Sequence, residues 1–573
     1  MNVFGEFDYV IVGAGSAGCV LANRLTEDPA TRVLLIEYGG GDSSIFIQMP
    51  TALSIPMNMD KYNWRYETEP EPGLNGRRLH CPRGKVLGGS SSINGMVYVR
   101  GNALDFDTWE QLGAKGWSYA DVLPYFRKAE TRAEGGDDYR GNNGPLHTCN
   151  GSLKNPLYNV FVEAGVQAGY LRTSDMNGFQ QEGFARMDMT VYRGQRCSTA
   201  NAYIHPIKHR KNLTVVLNAL AHRILLRDKR AVGIEFERGG SLSQAHARRE
   251  VILSGGPINA PQLLMLSGIG PANHLKEMNL RVVHDLPGVG QNLQDHLEMY
   301  FQQQCTQPIT LNAVMNPWSK LLIGTRWILT KGGLGGTNHF ETGAFIRSRP
   351  GVKWPDIQYH FLAGAFSYDG SAVAKTHGFQ AHVGSMRSKS CGWIKLRSTN
   401  PRDKARVFFH YMSREEDWIE LRACIRLTRE IFAQPAFDPY RGPELQPGPQ
   451  VQTDDELDDF LRGNLQSALH PSCTCKMGVD DMAVVDPECR VRGIDGLRVV
   501  DSSIMPQITT GNLNAPTIML AEKAADHVKG VQMLPRSSVP FYVTPDWETR
   551  QRPNAPMRQV SPDPRAGRKK AAA

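Results

Sequence analysis

The sequence predicts an α/β fold in which a parallel sheet is interrupted along the chain by a second, α+β part built on an antiparallel sheet. The first observation is that residues 7–12 (FDYVIV) and 32–37 (RVLLIE) are apolar and rich in β-branched side chains, as buried strands are. The second is that residues 16–27, between them, have a helical pattern that directly follows a glycine-rich turn. Strand, turn, helix and strand form a βαβ unit, which requires parallel strands and a right-handed crossover.

Two changes in the pattern of predicted secondary structure along the chain predict the domain organisation. Short strands between 212 and 255 lead into another strand–turn–helix segment, whereas residues 300–460 alternate strands such as DIQYHFLA with one helix at 415–433. The strand LRVVD and the helix TIMLAEKAADHV then return to the strand–helix pattern of the N-terminal unit. We therefore predict two discontinuous domains and a tail: a nucleotide-binding domain over 1–155, 190–300 and 463–533, a substrate-binding domain over 156–189 and 301–462, and a flexible basic tail over 534–573.

Composition and charge exclude several classes of protein. Of the 573 residues, 41% are hydrophobic and 21% are charged, which is ordinary globular usage and excludes wholesale disorder. Part of the formal net charge of +8 lies in the tail, where residues 551–570 hold six Arg and Lys against one Asp. The remaining charge is too evenly balanced for a nucleic-acid-binding surface, so no nucleic-acid partner is expected.

The cysteines and the N-terminus indicate the compartment. Ten cysteines at irregular spacings do not form a disulfide framework. Cys473 and Cys475 form a close pair without a second cluster, which is more typical of two buried thiols than of a metal site, so no metal is predicted. The N-terminal sequence has acidic residues and no basic-then-apolar signal pattern. We therefore expect a cytoplasmic protein in a reducing environment, without a membrane-spanning segment.

The glycine-rich turn has the spacing Gly13-x-Gly15-x-x-Gly18 between a predicted strand and a predicted helix. This context is typical of a Rossmann-like dinucleotide site, in which the glycines allow a tight turn and bring a pyrophosphate to the positive end of the helix. Glu37 ends the second strand, where a carboxylate can accept hydrogen bonds from an adenosine ribose. The spacing leaves FAD and NAD open, and the alternative is a glycine turn in a sheet that binds no nucleotide.

A second glycine-rich block, RGKVLGGSSSIN at residues 83–94, narrows the choice of cofactor. Its glycines and serines offer backbone N–H groups with little steric bulk, as a flat flavin ring requires. The alternative for GGSSS alone is a polar linker. The block resembles the first signature of the glucose–methanol–choline oxidoreductase family, GGPINAPQLLMLSGIG resembles its second signature, and HPSCTCKMG at 470–478 resembles its HPxxTxxMG element. Matches at 8–37, 83–102, 255–298 and 470–526 follow the family's order.

Within that family, further segments are similar to the bacterial choline dehydrogenase subgroup: YNWRYETEPEP (62–72), RGNALDFDTW (100–109), PGVGQNLQDHLEMY (287–300), DIQYHF (356–361) and SSIMPQITTGNLNAPTIML (502–520). Two residues depart from the pattern. Tyr38 stands where a small residue usually follows the ribose-binding acid, and Leu469 stands where choline oxidases have a tyrosine. Both bear on the tuning of the substrate, not on the chemistry.

The resemblance implies a bound FAD. It assigns the cofactor to residues of the glycine-rich loops and of the strands beside them: Gly13, Ala14, Gly15, Ser16, Gly18, Glu37, Gly88, Gly89, Ser90, Asn94, Ala221 and Asp501. Several relatives attach the flavin covalently through a histidine in the second glycine block. Ile93 occupies that position and has no nucleophilic atom, so we expect FAD to be held non-covalently.

The chemistry expected of the family removes an alcohol proton while hydride leaves the carbon for flavin N5. A base with a pKa near the working pH suits the first part, and His470 matches the family's catalytic histidine. Asn512 matches the second member of the family's pair and would orient the alcohol oxygen, the alternative being a helix cap. His360 resembles an additional histidine of the choline enzymes that donates to the developing alkoxide, the alternative being a core histidine.

The substrate pocket that the resemblance implies must bind a quaternary ammonium, which aromatic faces and a carboxylate do in a dry site. Glu298 matches the carboxylate of the choline enzymes, and Phe340 lies where those enzymes have a tryptophan. Trp64 is a further aromatic candidate. For Glu298 the alternative is a solvated acid at the end of a loop.

These residues predict oxidation of choline to betaine aldehyde, and of the aldehyde hydrate to glycine betaine, an osmoprotectant in this family. The expected electron acceptor is the respiratory chain or a quinone. The alternatives are a dehydrogenase for another primary alcohol, a flavin-containing lyase and a non-catalytic binding protein. For the basic tail, contact with anionic lipid at the inner membrane and simple solvation are both open.

Overall fold

The computed structural model describes residues 2–367 and 377–555 and contains two large sheets. The first sheet has seven strands. Five are parallel, and two more form an antiparallel extension at one edge. In spatial order the strands are Leu213–Val216, Val33–Ile36, Asn2–Val12, Ser241–Leu253, Arg230–Arg238 and Ala219–Arg227, with Leu497–Val499 paired beside the end of Ser241–Leu253.

The predicted βαβ unit is confirmed at the centre of this sheet. Asn2–Val12 pairs in parallel with Val33–Ile36, and the helix Ser16–Leu25 connects them. Residues 9–12 and 33–36 are all buried, which explains why both strands are apolar runs and not alternating patterns. The same strand joins Ser241–Leu253 on its other side, so the ends of three strands converge where the glycine-rich turn begins.

The second sheet also has seven strands, and all of its pairings are antiparallel. In spatial order the strands are Arg441–Gln446, Leu297–Cys305, Gly378–Ser385, Ile357–Leu362, Thr342–Ile346 and Gly183–Arg186, with Gln466–Ser467 paired beside Leu297–Cys305. The predicted α+β part with an antiparallel sheet is therefore confirmed.

Alternation along the strands gives this sheet one polar and one apolar face. In Ile357–Leu362 the residues Ile357, Tyr359 and Phe361 point to one side, and Gln358 and His360 point to the other. Phe361 stacks on Phe161 of the helix Pro156–Gln167 at 4.6 Å and lies near Phe432 at the end of the helix Glu415–Phe432. The apolar face thus packs on helices, and the polar face is left to line a cavity.

The remaining elements connect and cover the two sheets. The other helices are Ile45–Gln48, Ser54–Met57, Ala103–Gln111, Tyr119–Ala129, Gly256–Leu266, Ala272–Glu277, Pro317–Thr330, Asp454–Asn464 and Asn514–Lys529. The short strands are Tyr66–Glu67, His80–Cys81, Val97–Tyr98, Glu130–Arg132, Leu146–Asn150, Asp188–Met189, Val191–Tyr192, Gln195–Arg196, Ile269–Gly270, His284–Asp285, Gln291–Leu293, Gly392–Lys395 and Arg406–Phe408.

The strand positions bear on the domain boundaries, which we keep as a proposal. Leu297–Cys305 crosses the predicted boundary at residue 300, and Gln466–Ser467 joins the second sheet although it follows the boundary at 462. We propose boundaries shifted accordingly, with the substrate-binding part beginning at about residue 297 and ending after 467.

The predicted flexible tail is wrong for residues 534–555, which lie against the body of the protein. The backbone of Leu534 and of Tyr542 donates to Tyr125 and to Phe179 O, and Thr544 is buried. Arg552 forms an ion pair with Glu430. The segment is rich in proline and lacks regular structure, so its sequence pattern does not reveal that its polar groups find partners on the body. The basic residues beyond 555 lie outside the described residues.

Candidate active site

A cavity of about 740 Å³ contains nearly all of the predicted site residues. One side is lined by the two glycine-rich loops and by the end of the first sheet. The other side is lined by the polar face of the second sheet, with Glu298, Tyr300, His360, Gln380 and His382. The cavity therefore joins the predicted cofactor residues to the predicted substrate residues.

The first glycine-rich loop has two crowded glycines and one open glycine. A Cβ at Gly13 would lie 2.5 Å from Ser254 O, and a Cβ at Gly18 would lie 1.9 Å from Gly13 O. At Gly15 the nearest protein atom would be 3.8 Å away, and Gly15 caps the helix Ser16–Leu25 without a side-chain hydrogen bond. Gly13 and Gly18 thus keep the turn tight, and Gly15 presents the positive end of the helix to the cavity, as a diphosphate requires.

Glu37 lies buried at the end of its strand and is tied to this loop. One carboxylate oxygen accepts from Ala14 N at 3.0 Å, and the other accepts from Gly39 N at 2.7 Å. Burial raises the pKa of Glu37 to about 7. Ser16 Oγ, at the start of the helix, donates to Asn514 Oδ1 at 2.8 Å. The first loop is thereby fixed both to the ribose-binding position and to the C-terminal helix.

The second glycine-rich loop packs directly on the first. Gly88 N donates to Ala14 O at 2.8 Å, and a Cβ at Gly89 would lie 2.7 Å from Gly15 Cα. Both Gly88 and Gly89 have positive φ angles, of 87° and 55°, which side chains disfavour. Ser90 lines the cavity, and its Oγ accepts from Gly84 N at 3.1 Å. The two loops form one cradle, and glycines stand at the points where their backbones are in contact.

Residues at the far end of the second loop are held by a buried arginine that the sequence analysis missed. Arg196 Nη1 donates to the carbonyl oxygens of Ser91 and Asn94 and to Asn94 Oδ1, the last at 2.8 Å. Burial lowers the pKa of Arg196 to about 9. Ile93 lines the cavity between these residues and packs on an apolar cluster that includes Ile47. Neither Arg196 nor Ile93 places a nucleophile at the position of the family's covalent histidine.

The last two predicted cofactor residues also lie in the cavity wall. Asp501 is buried, and its carboxylate accepts from Gly256 N and from Ser503 N, both at 2.8 Å. Burial raises the pKa of Asp501. Ala221 lies on the strand Ala219–Arg227, where its small side chain lines the cavity. The helix end, the open glycine and the buried acid of the ribose position together fit an FAD.

Four side chains form a hydrogen-bonded chain at the other end of the cavity. His296 Nε2 lies 3.0 Å from Met386 O, and His296 Nδ1 lies 3.0 Å from His470 Nδ1. His470 Nε2 lies 3.1 Å from Asn512 Nδ2, and Asn512 Oδ1 lies 3.2 Å from His360 Nε2. His470, Asn512 and His360, predicted separately, are thus brought together in one network. Asn512 does not cap the helix that begins at Asn514.

This chain assigns the protons of His470. Met386 O can only accept, so His296 carries its proton on Nε2 and accepts on Nδ1. His470 must then donate from Nδ1, which leaves the Nε2 lone pair of the neutral ring facing Asn512 and the cavity. Burial lowers the pKa of His470 well below its usual range and the pKa of His296 to about 3, so both rings are neutral in this state. The network presents His470 Nε2 as a base.

Backbone contacts fix the position of His470 as well. Asp295 is buried and accepts from His470 N at 2.7 Å, from Tyr411 at 2.6 Å and from Ser467 at 2.5 Å. Leu469, the residue before the base, has a φ of 67°, an unfavourable value for leucine, and its carbonyl accepts from Arg83 at 2.6 Å. A strained residue held on both sides is common at functional sites.

The polar face of the second sheet supplies the predicted substrate residues. Glu298 and Tyr300 lie on one strand, and His382 lies opposite Tyr300 and His360 on the strand between. Glu298 Oε1 lies 3.5 Å from His382 Nδ1. The Phe340 ring approaches His382 at 5.3 Å and His360 at 5.9 Å. A carboxylate and an aromatic ring therefore lie beside the histidine network.

Trp64, the second predicted aromatic residue of the substrate pocket, also lines the cavity, and its ring packs on two tyrosines. Its ring lies 4.9 Å from Tyr38 and 5.9 Å from Tyr66. Tyr38 directly follows Glu37, so these contacts put Trp64 beside the nucleotide end of the cavity. Because Trp64 lines the same cavity as Glu298 and His470, its role as an aromatic residue of the substrate pocket stays a prediction.

Two histidines were not predicted: His296 of the network, and His382, which lies beside Glu298. His296 lies inside the quoted segment LQDHLEMY, two residues before Glu298, and His382 lies in the predicted strand QAHVGSM. In the strands Leu297–Cys305 and Gly378–Ser385 polar residues recur at every second position, which marks one face of a sheet. Following that alternation within each strand would have found Tyr300 beside Glu298, and Gln380 together with His382.

The buried histidines predict a pH-dependent stability. Because the pKa of His296 is about 3 in the folded chain and about 6.5 when exposed, the unfolded state binds the proton first as the pH falls. The stabilisation from the neutral ring is therefore present above about pH 6.5 and is lost as the pH falls towards 3. As the pH falls through that window, the unfolding free energy of wild type should therefore fall relative to that of His296→Gln. The expected change is about 1.4 kcal/mol per pH unit. Chemical denaturation at pH 7, 6 and 5 measures this, and a constant difference would contradict the assignment.

Comparison with known proteins gives matches over most of the chain. The family model described as GMC oxidoreductase matches residues 7–298 with its N-terminal part and residues 388–521 with its C-terminal part. The chain is 60% identical over 557 residues to an oxygen-dependent choline dehydrogenase from Vibrio vulnificus (strain YJ016), covering 96% of this chain and 100% of that protein. It is 59% identical over 549 residues to an oxygen-dependent choline dehydrogenase from Brucella ovis, with 96% and 100% covered.

Solved structures with the same fold act on other substrates by name. A pyridoxine 4-oxidase from Mesorbium loti is 30% identical, with a TM-score of 0.84 over 92% of this chain and 100% of that one. A formate oxidase from Aspergillus oryzae RIB40, in a study of FAD modification, is 27% identical, with a TM-score of 0.86 over 92% and 99% of the two chains.

Proposed function

The chain belongs to the GMC oxidoreductase family, and we propose that it is an FAD-dependent dehydrogenase that oxidises choline to betaine aldehyde and, through the aldehyde hydrate, to glycine betaine. The near-complete coverage of choline dehydrogenases at about 60% identity supports the choice of substrate. The observation on this chain that carries the proposal is that Glu298, a carboxylate, lines the same cavity as the base His470.

The glycine-rich cradle would hold FAD through the open helix end at Gly15 and the acid Glu37. When bound, FAD supplies the hydride acceptor. The chain's own residues handle the proton and the charge. His470 Nε2 accepts the hydroxyl proton of the alcohol, since its lone pair faces the cavity, and the imidazolium charge that forms is shared with the neutral His296. In the free site Asn512 Nδ2 faces His470 Nε2 and His360 Nε2 faces Asn512 Oδ1, and both become donors for the alkoxide oxygen when the alcohol displaces these contacts.

Glu298 recognises the trimethylammonium group, which has a permanent charge and no hydrogen to donate. Among the carboxylates of the cavity, Glu37 and Asp501 have both oxygens hydrogen-bonded to backbone N–H groups. Glu298 is instead approached by His382 Nδ1, and its charge faces the substrate side. The Phe340 ring adds an aromatic wall for the methyl groups.

Anaerobic titration with choline tests the proposal. Choline should bleach the absorbance band of the oxidised flavin stoichiometrically. Each FAD accepts one hydride and stays reduced, because no electron acceptor is present. A neutral primary alcohol that reduces the flavin with an equal or higher second-order rate would favour a dehydrogenase for another alcohol. No bleaching with any alcohol would favour the lyase or the binding protein.

The reaction needs an electron acceptor, and we propose a quinone of the respiratory chain, reached from the cytoplasmic side of the inner membrane. All ten cysteines are free in the structure, which supports a reducing compartment. Within residues 2–367 and 377–555, no helix is both long and apolar enough to cross a bilayer. Reduced enzyme mixed with a soluble ubiquinone analogue should reoxidise faster than with dissolved oxygen at equal concentration.

The mode of FAD attachment gives a further prediction. Ile93 stands at the position of the covalent histidine and has only an alkyl side chain, so acid precipitation should release the flavin into the supernatant. Absorbance of the supernatant and of the redissolved pellet measures the two fractions. An Ile93→His variant is the matched control, because it restores the nucleophile at the same position. Flavin retained in the wild-type pellet would contradict the assignment and require another anchor.

A further inference from the structure

The helix Pro317–Thr330 exposes an unusual amount of apolar surface. Trp318, Leu322 and Leu329 are 76%, 69% and 78% exposed, and Leu321 and Ile328 are each more than half exposed. Trp327 is the one buried residue of this helix. Single exposed apolar residues are ordinary on a protein surface, whereas five on one helix mark a binding face.

The five side chains form one stripe. At about 100° per residue, positions 318, 321, 322, 328 and 329 fall within an arc of about 120° that is centred opposite Trp327. Trp327 anchors the inner face by donating from its indole nitrogen to Gly194 O at 2.6 Å. The stripe therefore points directly away from the body of the protein and runs about 16 Å along the helix.

The charge around the stripe is of one sign. Between Glu298 and Glu341 the sequence has no acidic residue, and the basic residues Arg326 and Lys331 lie beside the stripe and just after the end of the helix. Lys331 Nζ lies 4.0 Å from the centre of the Trp327 ring, beside the helix end. An apolar stripe with Trp and Leu, flanked by basic residues, is the pattern of a helix that lies in the plane of an anionic membrane surface.

We propose that the helix Pro317–Thr330 binds the surface of an anionic bilayer and lies in its interface. A second copy of the chain is the competing occupant of the stripe. The charge argues against it, because a symmetric pair of these helices would bring like charges together, whereas anionic headgroups neutralise them. The helix is a different surface from the basic segment beyond residue 555.

The position of the helix gives the binding a function that rests on the proposed quinone acceptor. Lys320 and Ile323, on the inner side of the helix, line the cavity that contains His470. A chain docked through the stripe would hold that cavity at the membrane surface, where a lipid-soluble acceptor is dissolved. Vesicle binding tests the surface independently of the acceptor, so the two proposals can fail separately.

Co-sedimentation of the full-length FAD-bound enzyme with vesicles tests the proposal. The vesicles contain phosphatidylethanolamine and phosphatidylglycerol, and in the neutral set digalactosyl diacylglycerol replaces phosphatidylglycerol, which avoids choline headgroups. The test variant is Leu322→Glu/Leu329→Glu. The matched control, Val479→Glu/Val531→Glu, puts the same two charges on exposed apolar residues elsewhere. None of these four residues lines the cavity, so flavin reduction by choline without vesicles should be unchanged and reports correct folding.

Wild type and control should bind the anionic vesicles more tightly than the neutral ones, and the helix variant should bind them at least about tenfold more weakly. Equal binding by the helix variant and the control would overturn the proposal. So would a loss of binding on changing Arg568, Lys569 and Lys570 to Gln while the helix variant still binds, because the tail would then be the anchor. A dimer in solution without vesicles that the helix variant dissociates would assign the stripe to a second copy.

Discussion

Replacing His470 with alanine should slow flavin reduction by choline by about 10²–10⁴-fold while FAD stays bound. The alcohol hydroxyl then loses the base that faces it, since His296, the next ring of the network, does not line the cavity. Asn512 and His360 remain to bind the oxygen. The loss should therefore appear in the reduction rate and much less in substrate affinity. Anaerobic stopped-flow absorbance measures both.

The matched control for this variant is His527→Ala. His527 also has a pKa lowered by burial, to about 4, but its ring lies near Trp117, away from the cavity. It should retain a reduction rate close to that of wild type, even if the protein loses stability. Reduction of His470→Ala within about threefold of wild type would show that another group removes the proton. A spectrum without bound flavin would instead show a structural defect.

Much of the fold could be predicted because its signals are local. The central strands are buried on both faces and so are continuous apolar runs, and Gly18 is required by its contact with Gly13 O within the same turn. The packing of Gly89 against Gly15 could not be predicted in this way, because it joins two loops more than 70 residues apart. The sequence indicated that each loop lacks bulk, and only the structure shows that they touch.

The site was predicted less completely, for a related reason. His470, Asn512 and His360 come from three distant segments, and motif resemblance could identify each one but not their contacts. The tautomer of His470 depends on the carbonyl of Met386, which no side-chain pattern encodes. Trp64 was assigned by residue type within a matching segment, and its contacts with Tyr38 and Tyr66 in the cavity wall could not be predicted from that segment alone.

The buried network also explains how a histidine with a strongly lowered pKa can act as the base. In the free site the pKa of His470 is low because burial and its histidine neighbours disfavour the charged ring. Transfer of the alcohol proton creates the alkoxide and the imidazolium together. In the proposed reaction the alkoxide forms beside His470, so the new charges are opposite and adjacent, and each lowers the energy of the other. The base is therefore strengthened by the reaction itself.

Substitution of Glu298 by glutamine should weaken the binding of choline but not the binding of neutral alcohols. The change keeps the shape of the side chain and an oxygen that can accept from His382 Nδ1, so the fold and the contact between the two strands are preserved. It removes the negative charge that faces the ammonium group. A charge-assisted contact in a desolvated site is worth roughly 1.5–3 kcal/mol, so choline affinity should weaken by about ten- to a hundredfold.

The neutral isostere 3,3-dimethylbutan-1-ol provides the internal control, because it has the shape of choline without the charge and its affinity should barely change in Glu298→Gln. The ratio of the two affinities is therefore the decisive measurement, obtained from the substrate dependence of anaerobic reduction. Glu298→Asp keeps the charge but moves it back by one methylene, so it should retain part of the discrimination that the glutamine variant loses. Equal weakening for both alcohols would mean that Glu298 shapes the pocket through His382 and does not bind the cation. Choline as the substrate would then rest on the resemblance to other choline dehydrogenases alone.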